Sequence, residues 1–246
     1  MFDQNDVDTY QFVLSTDLVR RETSWCTIYL NTTSGNVHVV QRWLYQFTVA
    51  PGLPPWTDDE KTNFHYALTS AVGGTWDSQT PVGNSPDPIV QQIINLLRKP
   101  SNVRIGVSGT GAVAQRFSST GLDVDFDIVL TSTSPQWRVT LQKLTQWAHS
   151  QVDWTARTIQ LNSLGNNPRG ACQAGPGAAC VPTGFVTNRH EFGHTLQNDD
   201  EYTVSSPSRS DLGSIMNIGT GVRPRHLSFV TTQLNSMVPG CVFRAV

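Results

Sequence analysis

The sequence predicts a single α+β domain in which a mixed β-sheet packs against helices. Three observations favour this fold class. Turn-separated apolar segments typical of strands fill the first fifty residues, helical spacing of apolar residues follows, and strand and helix patterns then recur without an internal repeat or a clear linker. At 246 residues the chain is long enough for one sizeable hydrophobic core. The β-rich segment 1–55 could alternatively form a separate N-terminal lobe.

The predicted strands begin with a hairpin. Residues 27–30 and 37–40 are largely apolar, and the turn-rich stretch 31–36 separates them. In residues 122–130 apolar side chains alternate strictly with others, which is typical of a strand with one buried face. Two further strands are predicted at residues 103–107 and 156–161.

The predicted helices are marked by spacing and capping. Thr57 and Glu60 have capping-box spacing, and Phe64, Leu68 and Val72 recur every four residues, so a helix follows Thr57. Other helices are predicted at residues 89–97, around residues 190–194 and at residues 227–237. Residues 162–184, rich in Gly, Pro and Asn, are predicted to form a long loop.

Composition excludes several functional classes. The net charge of −2 gives no overall field to attract nucleic acid or anionic lipid, so neither is expected as a partner. No apolar run approaches the roughly 20 residues that span a bilayer. The first residues lack the basic and apolar regions of a signal peptide, so export is expected to use another route or the chain to be a piece of a longer protein.

Four cysteines point to an oxidising site of action. Cys172 and Cys180 bracket a short flexible loop and are predicted to form a disulfide, which leaves Cys26 and Cys241 as a second pair by elimination. The alternative is four free, buried thiols in a reducing compartment. No Cys-x-x-Cys spacing indicates a cysteine-ligated metal.

The chemistry of the chain is concentrated in the segment from His190 to His194. On a helix the two histidines project from one face, one turn apart, and can both ligate one tetrahedral Zn²⁺. Glu191 lies close enough to hydrogen-bond a water at the metal and to accept its proton. Gly193 either lets this helix approach neighbouring backbone closely or is a tolerated helical glycine.

A third metal ligand is needed, and several residues could supply it. Asp200 follows His194 by six residues, the distance of the last ligand in the pattern His-Glu-x-x-His-x-x-Gly-x-x-His. His226 is another candidate, and it could instead donate to an oxyanion or be a surface histidine that caps the last helix.

These residues resemble a known family. The segment 190–200, followed by Ser214-Ile215-Met216, is similar to the metzincin peptidases, and most closely to snapalysin-like enzymes with Asp as the third ligand. The longer pattern, with Asp200-Glu201-Tyr202 and Arg225-His226, resembles bacterial metallopeptidase toxin domains delivered by type VI secretion spikes and related contractile injection systems. About forty residues of the C-terminal third carry the resemblance.

The resemblance implies a zincin-like fold with defined roles for matching positions. His190, His194 and Asp200 would bind Zn²⁺, Glu191 would be the general base, and Met216 would form the hydrophobic floor under the metal. The chain departs from the family at Gln197, where metzincins have Gly. If the left-handed turn moves by one position to Asn198, the ligand role passes to Asp199 or Glu201.

The expected function is that of a zinc-dependent endopeptidase acting on a peptide or protein substrate. The resemblance implies a secreted antibacterial effector that acts in a target cell's periplasm, carried by a secretion spike and matched by a cognate immunity protein. A general secreted protease is the nearest alternative. A rival of another class is a non-catalytic, zinc-braced binding module of a larger secreted particle.

Overall fold

The structure is a computed structural model that describes residues 2, 17–78, 103–173 and 180–246, without the side chains of residues 180–183. The helix predicted at residues 89–97 lies outside the described residues. In the part described, no helix combines the length and apolar character needed to cross a membrane.

The described chain contains a large mixed sheet and two small ones. In chain order the strands are Leu18–Glu22 (β1), Thr27–Asn31 (β2), Asn36–Val49 (β3), Ile105–Gly109 (β4), Asp123–Leu130 (β5), Trp137–Lys143 (β6), Gln151–Asp153 (β7), Thr158–Asn162 (β8), Arg169–Cys172 (β9), Cys180–Phe185 (β10) and Cys241–Ala245 (β11). The large sheet has seven strands in the order β1-β2-β3-β6-β8-β7, with β5 also paired to β3. Strands β9 and β10 form one hairpin, and β4 pairs with β11.

Strand β3 is the central strand of the large sheet. Its residues alternate between buried and partly exposed along most of its length, so that one face is apolar. Strands β5 and β6 pair with it in parallel along successive stretches, and β8 is parallel to β6. Strand β7 is antiparallel to β8 and forms one edge of the sheet. Strands β1, β2 and β3 thus belong to the same sheet as β5, β6, β7 and β8.

The helices of the described chain are Asp58–Trp76 (α1), Ala112–Phe117 (α2), Thr187–Thr195 (α3) and Ser228–Met237 (α4), with a short 3-10 helix at Pro224–Leu227. The predicted capping box of α1 is confirmed: the Thr57 side chain accepts from Glu60 N–H, and the Glu60 carboxylate accepts from Thr57 N–H. The fold is therefore mixed α and β, with a mixed sheet packed against a few helices, as the sequence predicts.

Trp76, at the end of α1, joins that helix to α3 and the large sheet. Its buried ring packs edge-on against Phe126 of β5 and Phe192 of α3, with centroids 6.1 and 5.6 Å away. Its Nε1 donates to the carbonyl oxygen of Arg189 at 3.0 Å. This buried anchor fixes α3 relative to the sheet.

The prediction of a structureless loop over residues 162–184 is wrong in part, because this segment contains β9 and most of β10. Cys172 lies directly opposite Cys180 in that hairpin and is disulfide-bonded. The register therefore agrees with the predicted Cys172–Cys180 bond, which stays a prediction because the Cys180 side chain is not among those described.

The second predicted disulfide is wrong, since Cys26 and Cys241 are both free and buried. Cys26 directly precedes β2 of the large sheet, whereas Cys241 begins β11 in a small sheet. Both belong to the hydrophobic core, and burial raises the pKa of the Cys26 thiol to about 12. Pairing by elimination failed because a free cysteine also serves as a small apolar core residue.

Candidate metal centre

Helix α3 and the chain that follows it bring three ligand atoms together. His190 Nε2 lies 3.1 Å from His194 Nε2 and 3.0 Å from Asp200 Oδ1. His194 Nε2 lies 3.2 Å from the same carboxylate oxygen. His190, His194 and Asp200 form a group that could hold a metal ion, and no other such group is found among the described residues.

Backbone carbonyls orient both imidazoles. His190 Nδ1 lies 2.7 Å from the carbonyl oxygen of Ile215, and His194 Nδ1 lies 2.7 Å from that of Asn198. In a neutral ring the proton must then be on Nδ1, because a carbonyl oxygen can only accept. The Nε2 lone pairs are thereby free and directed towards the shared point, an arrangement typical of metal-binding histidines.

The chain reverses sharply after α3, and Gln197 makes the reversal. Its φ of 65° is in the left-handed region, which Gly adopts most easily. The turn therefore stays at Gln197, and the alternative of a shift to Asn198 is wrong. Asn198 instead ties the reversal together, because its Nδ2 donates to the carbonyl oxygens of Gly193 and His226 at 3.0 and 3.1 Å.

The competing third ligands either lie outside the ligand group or are paired with other side chains. Asp199 is exposed and lies outside the ligand group. Glu201 accepts a bidentate pair of hydrogen bonds from Arg225, at 2.6 and 2.8 Å. Burial alone would raise the pKa of Glu201, but hydrogen bonds from Arg225 and His226 lower it to about 2.

His226 is buried, so its interpretation as a surface histidine is wrong. Its Nδ1 accepts from the N–H of Arg223 at 3.0 Å, which places the ring proton on Nε2. That nitrogen lies 3.1 Å from Glu201 Oε1 and 3.2 Å from Ser214 Oγ. With both nitrogens engaged, His226 supports the fold beneath the ligand group and is neither a ligand nor a free oxyanion donor.

A tight turn at residues 214–217 lies under the ligand group. Met216 at its tip is fully buried, and its carbonyl oxygen accepts from Glu201 N–H at 2.7 Å. The preceding carbonyl, of Ile215, is the one that orients His190. The turn therefore positions one histidine directly and fixes the backbone next to Asp200.

Gly193 is required by the contact between α3 and this turn. A Cβ at Gly193 would lie 2.2 Å from Met216 Sδ and 2.8 Å from Cζ2 of Trp76. Both side chains are buried. The prediction of a close approach is thus confirmed, although the neighbours are side chains and not backbone.

Charges within the group are strongly coupled. Burial alone would raise the pKa of Asp200, but hydrogen bonds from the protonated forms of His190 and His194 hold it well below its usual range. Burial opposes the charged form of His194, yet the hydrogen bond with Asp200 raises its pKa overall. The Tyr202 ring stacks on His190 with ring centroids 6.0 Å apart, and burial together with the nearby Asp200 carboxylate raises the pKa of its hydroxyl.

Glu191 is buried beside the ligand group, and its Oε2 makes no hydrogen bond within the described part of the chain. Burial raises its pKa, although the two neighbouring imidazoles oppose that rise. A buried carboxylate oxygen without a partner is costly, so it indicates a group that interacts with something at the site.

A cleft with a volume of about 540 Å³ opens onto these residues. Strand β7 forms one wall, and Glu191, both histidines and Tyr202 line the other. Several of the lining residues could not be predicted from the sequence, because His149, Trp154 and β7 have no metal-ligand spacing. Trp154 Nε1 donates to the carbonyl oxygen of His194, which anchors this wall to α3.

The donor set fits a zinc ion. Ligand atoms 2.0–2.2 Å from a tetrahedral ion lie about 3.3–3.5 Å apart, close to the observed 3.0–3.2 Å. Two imidazole nitrogens and one carboxylate oxygen are among the ligands that zinc accepts, and three protein ligands leave a coordination position open.

Comparison of the chain with protein-family models, with curated proteins and with solved structures finds no match.

Proposed function

We propose that this protein is a zinc-dependent endopeptidase with a zincin-like, metzincin-type centre. His190, His194 and Asp200 would hold the metal, and Glu191 would be the general base. The observation that carries the proposal is the convergence of three ligand atoms within 4.8 Å, beside a buried carboxylate that has an unpartnered oxygen.

Zinc at such a site is a Lewis acid that lowers the pKa of water from about 15.7 to about 7. The protein's own part is to accept and hold the proton. Glu191 is suited to this role because burial raises its pKa, which makes its carboxylate a stronger base. The Tyr202 ring stacks on His190, and the carbonyl of Ile215 keeps the His190 ring in one orientation.

Strand β7 offers a place for an extended peptide. It is an edge strand of the large sheet and lines the cleft opposite Glu191. A substrate that pairs with this edge would pass alongside the ligand group while its main chain is held by regular hydrogen bonds. This arrangement suits an endopeptidase, because it needs no free end of the substrate.

The main rival is a binding module in which zinc only braces the fold. A structural zinc site closes its coordination with a fourth protein ligand. Here the ligand group has three members among the described residues and lies on an open cleft.

The proposal also includes delivery into a target periplasm as an antibacterial effector, with a spike carrier and an immunity protein. This part rests on the sequence resemblance.

Replacing Glu191 with Gln tests the mechanism. Zinc-loaded wild type should cleave reduced, alkylated serum albumin, and Glu191→Gln should bind equimolar zinc while its cleavage rate falls at least about 100-fold. Glu22→Gln, at an exposed glutamate of β1, is the matched control and should keep full activity. Undiminished cleavage by Glu191→Gln, or by metal-free protein, would contradict the proposal.

A further inference from the structure

A second cavity, of about 370 Å³, adjoins the ligand group beside the first cleft. It shares His149, His190, Glu191 and Tyr202 with the first cleft. Its other walls come from the β9–β10 hairpin and from the start of α3. A substrate residue next to the scissile bond would therefore project into it.

Among the described residues that line this cavity, Arg169 of β9 is the one cationic side chain apart from the histidines. Its guanidinium carbon lies 3.7 Å from the ring centroid of Trp147 and 5.6 Å from that of Phe185. Its Nε donates to Thr187 Oγ1, in the first turn of α3, at 3.1 Å. Two aromatic rings and one hydrogen bond thus hold the guanidinium in a fixed orientation, which lowers the entropy lost on binding a ligand.

No carboxylate of the described chain lies within ion-pair distance of this guanidinium. By contrast, Arg223 and Arg225 both form ion pairs with Asp211. Burial lowers the pKa of Arg169, and only the more distant charge of Glu191 opposes this. A half-buried guanidinium without an ion-pair partner is stabilised when it binds a planar anion through two hydrogen bonds.

The two cavities differ in charge. The first cleft is lined by Asp153, Asp199 and Asp200 in addition to Glu191. Glu191 lines both cavities, but Arg169 lines the second one alone, so a carboxylate of the substrate is attracted more strongly there. Arg169 therefore defines one direction for an acidic group.

We propose that Arg169 binds a carboxylate of the substrate in the second cavity, so that the enzyme selects peptides with an acidic group at one fixed position beside the cleaved bond. This inference rests on the proposed peptidase function. The carboxylate comes from an Asp or Glu side chain or from a substrate C-terminus, and both present the same planar anion.

The test begins with the cleavage sites of the zinc-loaded protein in reduced, alkylated serum albumin, identified by mass spectrometry. Peptides with Glu or Gln at the enriched position are then compared. Wild type should show a kcat/KM about 10-fold or more higher for the Glu peptide. Arg169→Met should reduce this ratio to about 1, Arg169→Lys should keep part of it, and the exposed Arg138→Met should leave it unchanged.

Peptides with a free or amidated C-terminus separate the two sources of the carboxylate. A side-chain preference survives amidation, whereas recognition of the C-terminus is lost with it; either result, if dependent on Arg169, supports the inference, and the second would make the enzyme an exopeptidase instead of the proposed endopeptidase. Thermal unfolding and zinc content of each variant show whether it is folded and loaded. Cleavage without acidic preference, or with a preference that Arg169→Met retains, would overturn the inference and leave the peptidase function standing. No cleavage by the loaded wild type would overturn both.

Discussion

Gly193 and Met216 are in contact across the metal centre, so close that a Cβ on Gly193 would lie 2.2 Å from the methionine sulfur. The contact joins α3, which carries both histidines, to the turn whose Ile215 carbonyl orients His190. The helix and the turn therefore hold their relative position only if residue 193 has no side chain.

Gly193→Ala should consequently disturb the site. In an ordinary helix this change would stabilise by about 1 kcal/mol, but here overpacking should destabilise the protein by about 1–3 kcal/mol. Zinc affinity should fall as His190 moves. Urea unfolding and zinc titration measure the two effects, and Gly193→Ala combined with Met216→Ala should lose less than the sum of the single changes. A more stable Gly193→Ala protein would refute the contact.

Asp200 and Asp199 provide a matched pair for the third ligand. Asp200→Asn removes the anionic donor of the ligand group, so zinc affinity should fall at least about 100-fold. Asp199→Asn changes an exposed neighbour and should leave affinity within about 2-fold. Competition with a chromophoric chelator measures both constants. The reverse ranking would give the ligand role to Asp199.

Gln197→Gly should stabilise the reversal after α3. The φ of Gln197 is 65°, a conformation that costs a residue with a Cβ about 1–2 kcal/mol. Part of the gain is lost to the greater freedom of Gly in the unfolded chain, so we expect a net stabilisation of about 0.5–1 kcal/mol in urea unfolding. Destabilisation would mean that the Gln197 side chain supports the turn.

Much of this site could be predicted from the sequence, because the patterns that indicate it lie within short segments of the chain. Helical spacing placed His190 and His194 on one face. Asp200 joins them at the predicted interval of six residues because Gln197 adopts the left-handed turn in place of Gly. The capping box of α1 and the alternation in β5 are also local, and both elements formed as predicted.

What the sequence did not reveal depends on contacts between distant segments. The burial of His226 follows from its pairing with Glu201, 25 residues away, and no spacing rule indicates that pairing. The β9–β10 hairpin looked like a loop because Gly and Pro interrupt its apolar pattern. The role that we propose for Arg169 depends on the fold, which places its guanidinium between the rings of Trp147 and Phe185.

Asp211 should give the fold a defined pH dependence. Its carboxylate pairs with Arg223 at 2.8 and 2.9 Å and with Arg225 at 2.7 Å, and the hydrogen bond from Arg223 is the main cause of its lowered pKa. A lowered folded pKa stabilises the protein above the unfolded value of about 3.9, and that stabilisation is lost as the pH falls below it.

Asp211→Asn should therefore destabilise the protein at pH 7 by about 1 kcal/mol, a value reduced by partial exposure of the pair. The difference from wild type should shrink below about pH 4, where the unfolded carboxyl takes up its proton. Urea unfolding of both proteins at pH 7 and pH 3.5 measures this change. Equal differences at the two pH values would rule out the ion pairs as its source.

The central claim is that His190, His194 and Asp200 hold one zinc ion beside Glu191. Crystals grown with one equivalent of zinc, measured above and below the zinc absorption edge, test it most directly. We expect a single anomalous peak about 2.0–2.2 Å from both Nε2 atoms and one Asp200 oxygen, with no fourth protein ligand. A peak elsewhere, or a fourth side chain that closes the coordination, would contradict the claim.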